Sequence, residues 1–100
     1  MDSNTAKKIN IKEISKLVKN LHSEIEIEAF FKELLTESEI ETLSKRWRIL
    51  NMLVNGYTQR DIAKDLQVSL CKVTRGAKIL KNDNSVLASY LKKENVNENC

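Results

Sequence analysis

The chain has 100 residues, of which 41% are hydrophobic and 31% charged, with two glycines and no proline. This length predicts one domain, and the scarcity of residues that interrupt helices favours an all-α fold. The hydrophobic content is that of a globular protein and excludes a disordered chain. The net charge is only +3, but nine basic and two acidic residues occupy positions 45–81, whereas one basic and seven acidic residues occupy positions 23–44. We therefore expect a polyanionic partner to meet the region 45–81.

The amino-terminal part of the chain predicts a tail and two helices. Residues 1–5 are predicted to be a flexible tail, and residues 6–22 a helix with lysines outside an apolar stripe. Ser23, followed by Glu26, has the spacing of a capping box and predicts a second helix that runs to Leu34. The large apolar side chains of this helix cover more than one face, which indicates a helix that is either central to the fold or buried against another chain. The second alternative is favoured, because a chain of 100 residues has few other elements to surround the helix, and it suggests a homodimer.

A third helix is predicted from the next capping-box pattern, Thr36 with Glu39. Its predicted buried stripe consists of Ile40, Leu43, Trp47, Leu50 and Val54. The pair Asn55-Gly56 is predicted to end this helix, because glycine adopts a left-handed backbone conformation without steric cost.

Residues 58–81 have the pattern of two short helices joined by a tight turn. Thr58, with Asp61 three residues later, predicts the first N-cap, and Ser69 predicts the second. Four apolar positions then recur at three- and four-residue spacing, so the second helix is predicted to be amphipathic: Leu70, Val73, Ala77 and Leu80. This is the pattern of a helix-turn-helix, whose second helix enters the major groove of DNA.

The outward face of the predicted second helix is basic, as contacts with DNA require. We expect contacts with base edges from four residues at its start, Leu70, Cys71, Lys72 and Thr74. Contacts with phosphates are expected from Arg60, Lys64 and Lys78. The alternative is an ordinary helical hairpin with solvated surface lysines, and the pattern alone leaves it open.

The end of the chain predicts one more helix. Ser85 is expected to cap it after a polar break, the helix is expected to end near Lys93, and residues 94–100 are expected to fray. The ordered part of the chain is thus predicted to be a single helical DNA-binding domain over residues 6–93.

No pattern in the chain indicates catalysis, a metal site or a membrane span. His22 is the only histidine, and neither Cys71 nor Cys100 has a partner at metal-ligand spacing. No signal peptide opens the sequence, and no apolar run approaches the ~20 residues that span a bilayer. We expect a cytoplasmic protein that is not an enzyme and holds no metal.

Several residues together resemble the tryptophan repressor family. They are Leu35-Thr36, Leu43, Arg46, Arg48, Ile49, Gly56, Gln59-Arg60, Thr74-Arg75-Gly76 and Leu80-Lys81. The resemblance covers roughly positions 35–91 and implies an intertwined homodimer of six-helix chains. It further implies repression of transcription at a palindromic operator in double-stranded DNA, with L-tryptophan as corepressor between the helix-turn-helix and the core.

The resemblance assigns six positions to a possible corepressor site: Leu35, Thr36, Arg46, Arg75, Gly76 and Ile79. The two arginines match those that flank the indole, and Leu35 and Thr36 match a pair contributed by the other subunit. Ile79 stands where the family has a serine that helps to hold the carboxylate of the amino acid. From the residues alone, Gly76 is explained equally by a nearby ligand or by close helix packing, and Arg46 by a ligand or by a stem covering apolar surface.

Two other functions are compatible with the sequence. One is a helical module that binds another protein through its acidic, aromatic-containing segment 23–35. The other is a non-catalytic DNA-binding subunit of a recombination or replication system, in which similar basic helix pairs occur.

Overall fold

The computed structural model describes the backbone of residues 9–99 and the side chains of residues 9–93. Within this range the chain forms six helices and no strand: α1 (Lys12–Lys19), α2 (Glu24–Leu34), α3 (Glu37–Val54), α4 (Gln59–Leu66), α5 (Leu70–Lys81) and α6 (Val86–Asn99). The predicted all-α, six-helix class is confirmed. The tail predicted at residues 1–5 and the terminal Cys100 lie outside the described residues.

Both terminal helices differ from their predicted extents. Helix α1 begins at Lys12, later than predicted, because residues 9 and 10 are not helical and the backbone N–H of Lys12 donates to the Asn10 carboxamide oxygen at 2.8 Å. Such a local side-chain hydrogen bond competes with the helical pairing of the same backbone. Residues 6–8 of the predicted helix lie outside the described residues. At the other end, α6 extends to Asn99, beyond the predicted end near Lys93.

The chain divides into two compact units, one ending at Glu37 and the other beginning at Ser38. In the first unit, neither α1 nor α2 buries a side chain. Helix α2 begins as predicted, since the Ser23 hydroxyl accepts from the Glu26 N–H at 3.1 Å. Its apolar residues nevertheless stay accessible, with Ile25 81% and Leu34 54% exposed. The single chain therefore provides no core for this unit.

The second unit has a small core where α3, α4 and α5 meet. Ile49, Ile62 and Val73 are almost fully buried there. Partly buried apolar residues pack around them: Met52, Leu53, Ala63, Leu66 and Val68. Two helices therefore form a helix-turn-helix against a third, as the sequence predicted for residues 58–81.

The buried face of α3 matches the predicted stripe only in part. Leu50 is buried and Ile40 and Val54 are half-buried, as predicted. Ile49, outside the predicted stripe, is buried as well, whereas Leu43 and Trp47 of that stripe are 44% and 36% exposed. Instead of entering the core, the Trp47 ring lies beside Tyr90 of α6, with ring centroids 5.9 Å apart. Helix α3 thus buries one apolar side in the second unit and leaves another accessible.

Two tight turns set the ends of α3 and α4. After α3, Tyr57 N–H donates to Met52 C=O and Gly56 N–H to Leu53 C=O, both at 3.1 Å, and Gly56 has a φ of +92°. This is a Schellman motif with glycine at its left-handed position, as predicted. The same pair of bonds ends α4, but there the left-handed position is occupied by Gln67, with φ 55° and ψ 49°.

A side chain at the left-handed position of the α4–α5 turn costs stability. For a residue with a Cβ this conformation costs roughly 1–2 kcal/mol, whereas glycine loses only about 0.5–1 kcal/mol more chain entropy on folding. We expect Gln67→Gly to stabilise the protein by about 0.5–1 kcal/mol, measured as a higher urea midpoint with an unchanged slope at one protein concentration. Gly56→Ala is the matched control and should lower the midpoint. An unchanged or lower midpoint for Gln67→Gly would contradict the argument.

Candidate nucleic-acid interface

Side-chain caps fix the starts of the two helices of the helix-turn-helix. The Thr58 hydroxyl accepts from the Asp61 N–H at 3.1 Å, and the Ser69 hydroxyl accepts from the Lys72 N–H at 3.3 Å. Each cap satisfies one of the N–H groups that a helix start leaves without a helical acceptor. The direction of α5 is therefore determined by its own first turn and by the turn at Gln67.

The basic side chains of the helix-turn-helix are exposed and free of ion pairs. They are Arg60, Lys64, Lys72, Arg75, Lys78 and Lys81. Among residues with described side chains, the ion pairs lie elsewhere, between Glu28 and Lys32 and between Glu41 and Lys45. Positive groups with no internal partner are available to a polyanion, and their contacts with phosphates release counterions.

The first turn of α5 presents the residues from which base contacts are expected. Leu70 is 48% exposed, and Cys71, a free thiol, and Lys72 are exposed as well. These three positions are open to a ligand on the outside of the helix pair. Their roles as base contacts remain predictions.

Thr74 differs from its neighbours because its hydroxyl already has partners in the protein. The residue is half-buried, and its Oγ1 lies 3.1 Å from the Gln59 Oε1 and 3.0 Å from the Leu70 carbonyl oxygen. The first contact joins the start of α4 to α5. Gln59 was not among the predicted site residues, although helical spacing puts Thr74 between the apolar stripe and the basic face, where such a partner is expected.

The six predicted corepressor residues are divided between the two units. Leu35 and Thr36 belong to the first unit, and the other four belong to the second. Arg46 and Arg75 are exposed, Ile79 is half-buried and Gly76 is buried. Their joint role in a ligand site remains a prediction.

Arg46 lines a cleft of about 250 Å3 between α3 and the start of α5. The cleft residues are Ser38, Glu41, Thr42, Lys45, Arg46, Ile49, Gln67, Val68 and Lys72. Three of them are basic and one is acidic. The cleft was not predictable from the sequence, because its two sides come from different helices, α3 and α5, that are separated along the chain.

The buried position of Gly76 is explained by close helix packing. A Cβ added there would lie 2.8 Å from Ile49 Cγ2 and 3.3 Å from Leu50 Cδ2, both on α3. The Ile49 methyl is attached directly to a Cβ and is almost completely buried, so it has little room to move. The space beside Gly76 is therefore occupied by side chains of α3.

In the part of the chain that the structure describes, no group of three or more His, Cys, Asp or Glu side chains is arranged to hold a metal ion. Nor does any helix there combine the length and apolar character needed to cross a membrane.

Comparisons with known proteins agree on one family. A family model described as "Trp repressor protein" matches residues 9–95. A "Trp operon repressor homolog" of Xylella fastidiosa (strain M23) is 44% identical over 62 residues, which cover 61% of this chain and 65% of that protein. A protein of the same description from Chlamydia trachomatis serovar L2 is 33% identical over 79 residues, which cover 74% of this chain and 84% of that protein. The chain thus spans less than two thirds of the length of the Xylella relatives. No solved structure gives a significant match.

The close packing at Gly76 predicts how adding one methyl group at this position changes the stability of the protein. Overpacking costs about 1–3 kcal/mol, and the better helix propensity of alanine returns about 1 kcal/mol. We expect Gly76→Ala to lower the free energy of unfolding by about 1 kcal/mol, measured by urea denaturation. In an Ile49→Ala background the same change should be neutral or stabilising. An equal loss in both backgrounds would mean that Ile49 is not the obstacle.

Proposed function

Since this chain belongs to the Trp repressor family, we propose that it is a repressor of transcription that binds double-stranded DNA in a sequence-specific way as a homodimer. The family consists of transcriptional regulators and not of enzymes. The observation that carries the proposal is the set of exposed basic side chains without ion pairs on the helix-turn-helix.

The proposed division of roles follows from position on the two helices. In helix-turn-helix proteins, Trp repressor among them, the second helix lies in the major groove with its N-terminal residues at the base edges. Leu70, Cys71, Lys72 and Thr74 occupy that part of α5. The first helix crosses the backbone, so Arg60 and Lys64 of α4 are assigned to phosphates, together with Lys78 further along α5. Thr74 uses its methyl group or an oxygen lone pair, because its hydroxyl hydrogen is engaged within the protein.

The proposed homodimer gives the amino-terminal helices a core. Helices α1 and α2 bury no side chain within one chain, although both carry rows of large apolar residues. The most exposed large apolar residues on these helices and their flanks are Ile9, Ile11, Ile25 and Leu34. Apolar surface of this extent is stabilised by removal from water, and a second copy of the chain is the partner that the family implies.

The proposed ligand is an amino-acid corepressor, and we expect L-tryptophan to bind with low affinity. Ile79 offers no hydrogen bond to a carboxylate, so the bound amino acid depends on Arg75 for that group. A lost hydrogen bond to a charged group is worth about 1.5–3 kcal/mol, or roughly ten- to hundredfold in affinity.

The test is selection of bound duplexes from a random pool, with and without millimolar L-tryptophan at one salt concentration. A palindromic site enriched in both arms supports the repressor without a tryptophan requirement, and one enriched only with tryptophan adds the corepressor. If no site is enriched and the chain sediments as a monomer, the helical module that binds another protein becomes the better explanation.

Two substitutions on the selected site separate the proposed roles. We expect Lys72→Ala to weaken binding to the selected site by about 1–3 kcal/mol and to weaken binding to random DNA less. Arg60→Ala should weaken both similarly and reduce the slope of log affinity against log salt by about 1. Both are measured by fluorescence anisotropy across a salt series. Equal losses on both kinds of DNA for both variants would contradict the assignment.

The homodimer is tested at a residue that the single chain leaves exposed. We expect the wild-type chain, of 11.5 kDa, to sediment as a dimer, and Ile25→Glu to shift the equilibrium toward monomer. Because Ile25 is 81% exposed in one chain, the charge is costly only where a partner covers it. Tyr57→Glu, at a 52% exposed position outside α1 and α2, is the control and should remain dimeric. The interface would be contradicted if both variants were monomeric, or if both remained dimeric.

A further inference from the structure

The cleft beside α5 is formed by one face of α3. Six of its residues recur along the first four turns of α3 at the spacing that brings side chains to one side: Ser38, Glu41, Thr42, Lys45, Arg46 and Ile49. Gln67 and Val68 of the α4–α5 turn and Lys72 of α5 complete it. The cleft therefore joins the helix that supports the core to the helix proposed to read DNA.

The charges in this cleft are not balanced. Glu41 is its acidic residue, and the Glu41 Oε1 lies 3.1 Å from the Lys45 Nζ. Arg46 and Lys72 have no ion-pair partner among the described side chains. Lys72 also stands in the first turn of α5, where the helix dipole adds partial positive charge. A concave site lined by charges of one sign concentrates the field and attracts a counterion.

We propose that this cleft binds a small phosphate-type oxyanion. Arg46 and Lys72 supply charge-assisted hydrogen bonds, Lys45 adds positive charge, and the hydroxyls of Ser38 and Thr42 offer neutral donors. The volume of about 250 Å3 lies below the roughly 300–1,000 Å3 of sites for drug-sized ligands, which selects a small ligand. Of the predicted corepressor residues, only Arg46 lines the cleft.

The consequence for regulation rests on the proposed function. Lys72 is assigned both to this cleft and to the DNA-reading start of α5. An oxyanion held in the cleft engages that ammonium group and so competes with DNA for it. Free anion and DNA should therefore oppose each other, in contrast to a corepressor.

The direct test needs no DNA. Inorganic phosphate is titrated into the full chain at constant ionic strength, with chloride as the replaced anion, and binding is followed by backbone amide chemical shifts. We expect saturable shifts at Gln67, Val68 and Lys72. Lys45→Gln should bind phosphate about tenfold more weakly, because it removes one positive charge and leaves the Glu41 carboxylate without its ion pair. Lys32→Gln is the matched control, because Lys32 forms the same i,i+4 pair with a glutamate, also at 3.1 Å, outside the cleft. Its affinity for phosphate should remain within about twofold of wild type.

A second arm identifies the source of the phosphate. If free phosphate binds as expected, it should weaken DNA binding by wild type and by Lys32→Gln but much less by Lys45→Gln. If free phosphate does not bind, and Lys45→Gln alone weakens DNA binding, the oxyanion is a backbone phosphate of DNA. If phosphate binds selectively but the chain binds no DNA, the oxyanion site is supported and the proposed function is contradicted. Equal behaviour of the two lysine variants in both arms overturns the site.

Discussion

The close approach of α5 to α3 at Gly76 is the contact on which the rest of the second unit depends. With no side chain at this position, Ile49 and Leu50 reach the α5 backbone, and Val73 enters the core one turn earlier. The outer face of α5 is a consequence of that packing, because burying one side of a helix defines the side that remains in water. The face that we propose to contact DNA is thus positioned by the absence of a side chain at Gly76.

The two units differ in whether a single chain provides them with a hydrophobic core. The second unit forms a core within one chain, with Ile62 and Val73 fully removed from water and Ala88 and Leu91 of α6 buried as well. The amino-terminal unit forms none, although it carries long apolar side chains such as Ile25 and Leu34. Short chains bury too little surface to support several cores, and association is a common remedy. The acidic residues of positions 23–44 lie in the amino-terminal unit and at the start of α3, and they precede the basic helix pair in the sequence.

Local features were predictable from the sequence and long-range ones were not. The caps at Ser23, Thr58 and Ser69 and the left-handed Gly56 depend on residues within one turn, and all four are observed. The choice of Ile49 over Trp47 for the core depends on which helices meet, and periodicity does not contain that information. For the same reason the basic residues could be predicted individually, whereas their assembly in a cleft and the contact between Gln59 and Thr74 could not.

The pairing of Trp47 with Tyr90 gives the protein an internal optical probe. Trp47 is the only tryptophan, and its ring lies 5.9 Å from the Tyr90 ring on α6. At this separation excitation energy absorbed by Tyr90 is transferred efficiently to the indole. In a Tyr57→Phe variant, which keeps Tyr90 as its one tyrosine, indole emission excited through tyrosine therefore reports whether α6 remains packed beside Trp47. The same indole emits in the range of free L-tryptophan. Titrations with that amino acid are therefore better followed by calorimetry or by labelled DNA than by intrinsic fluorescence.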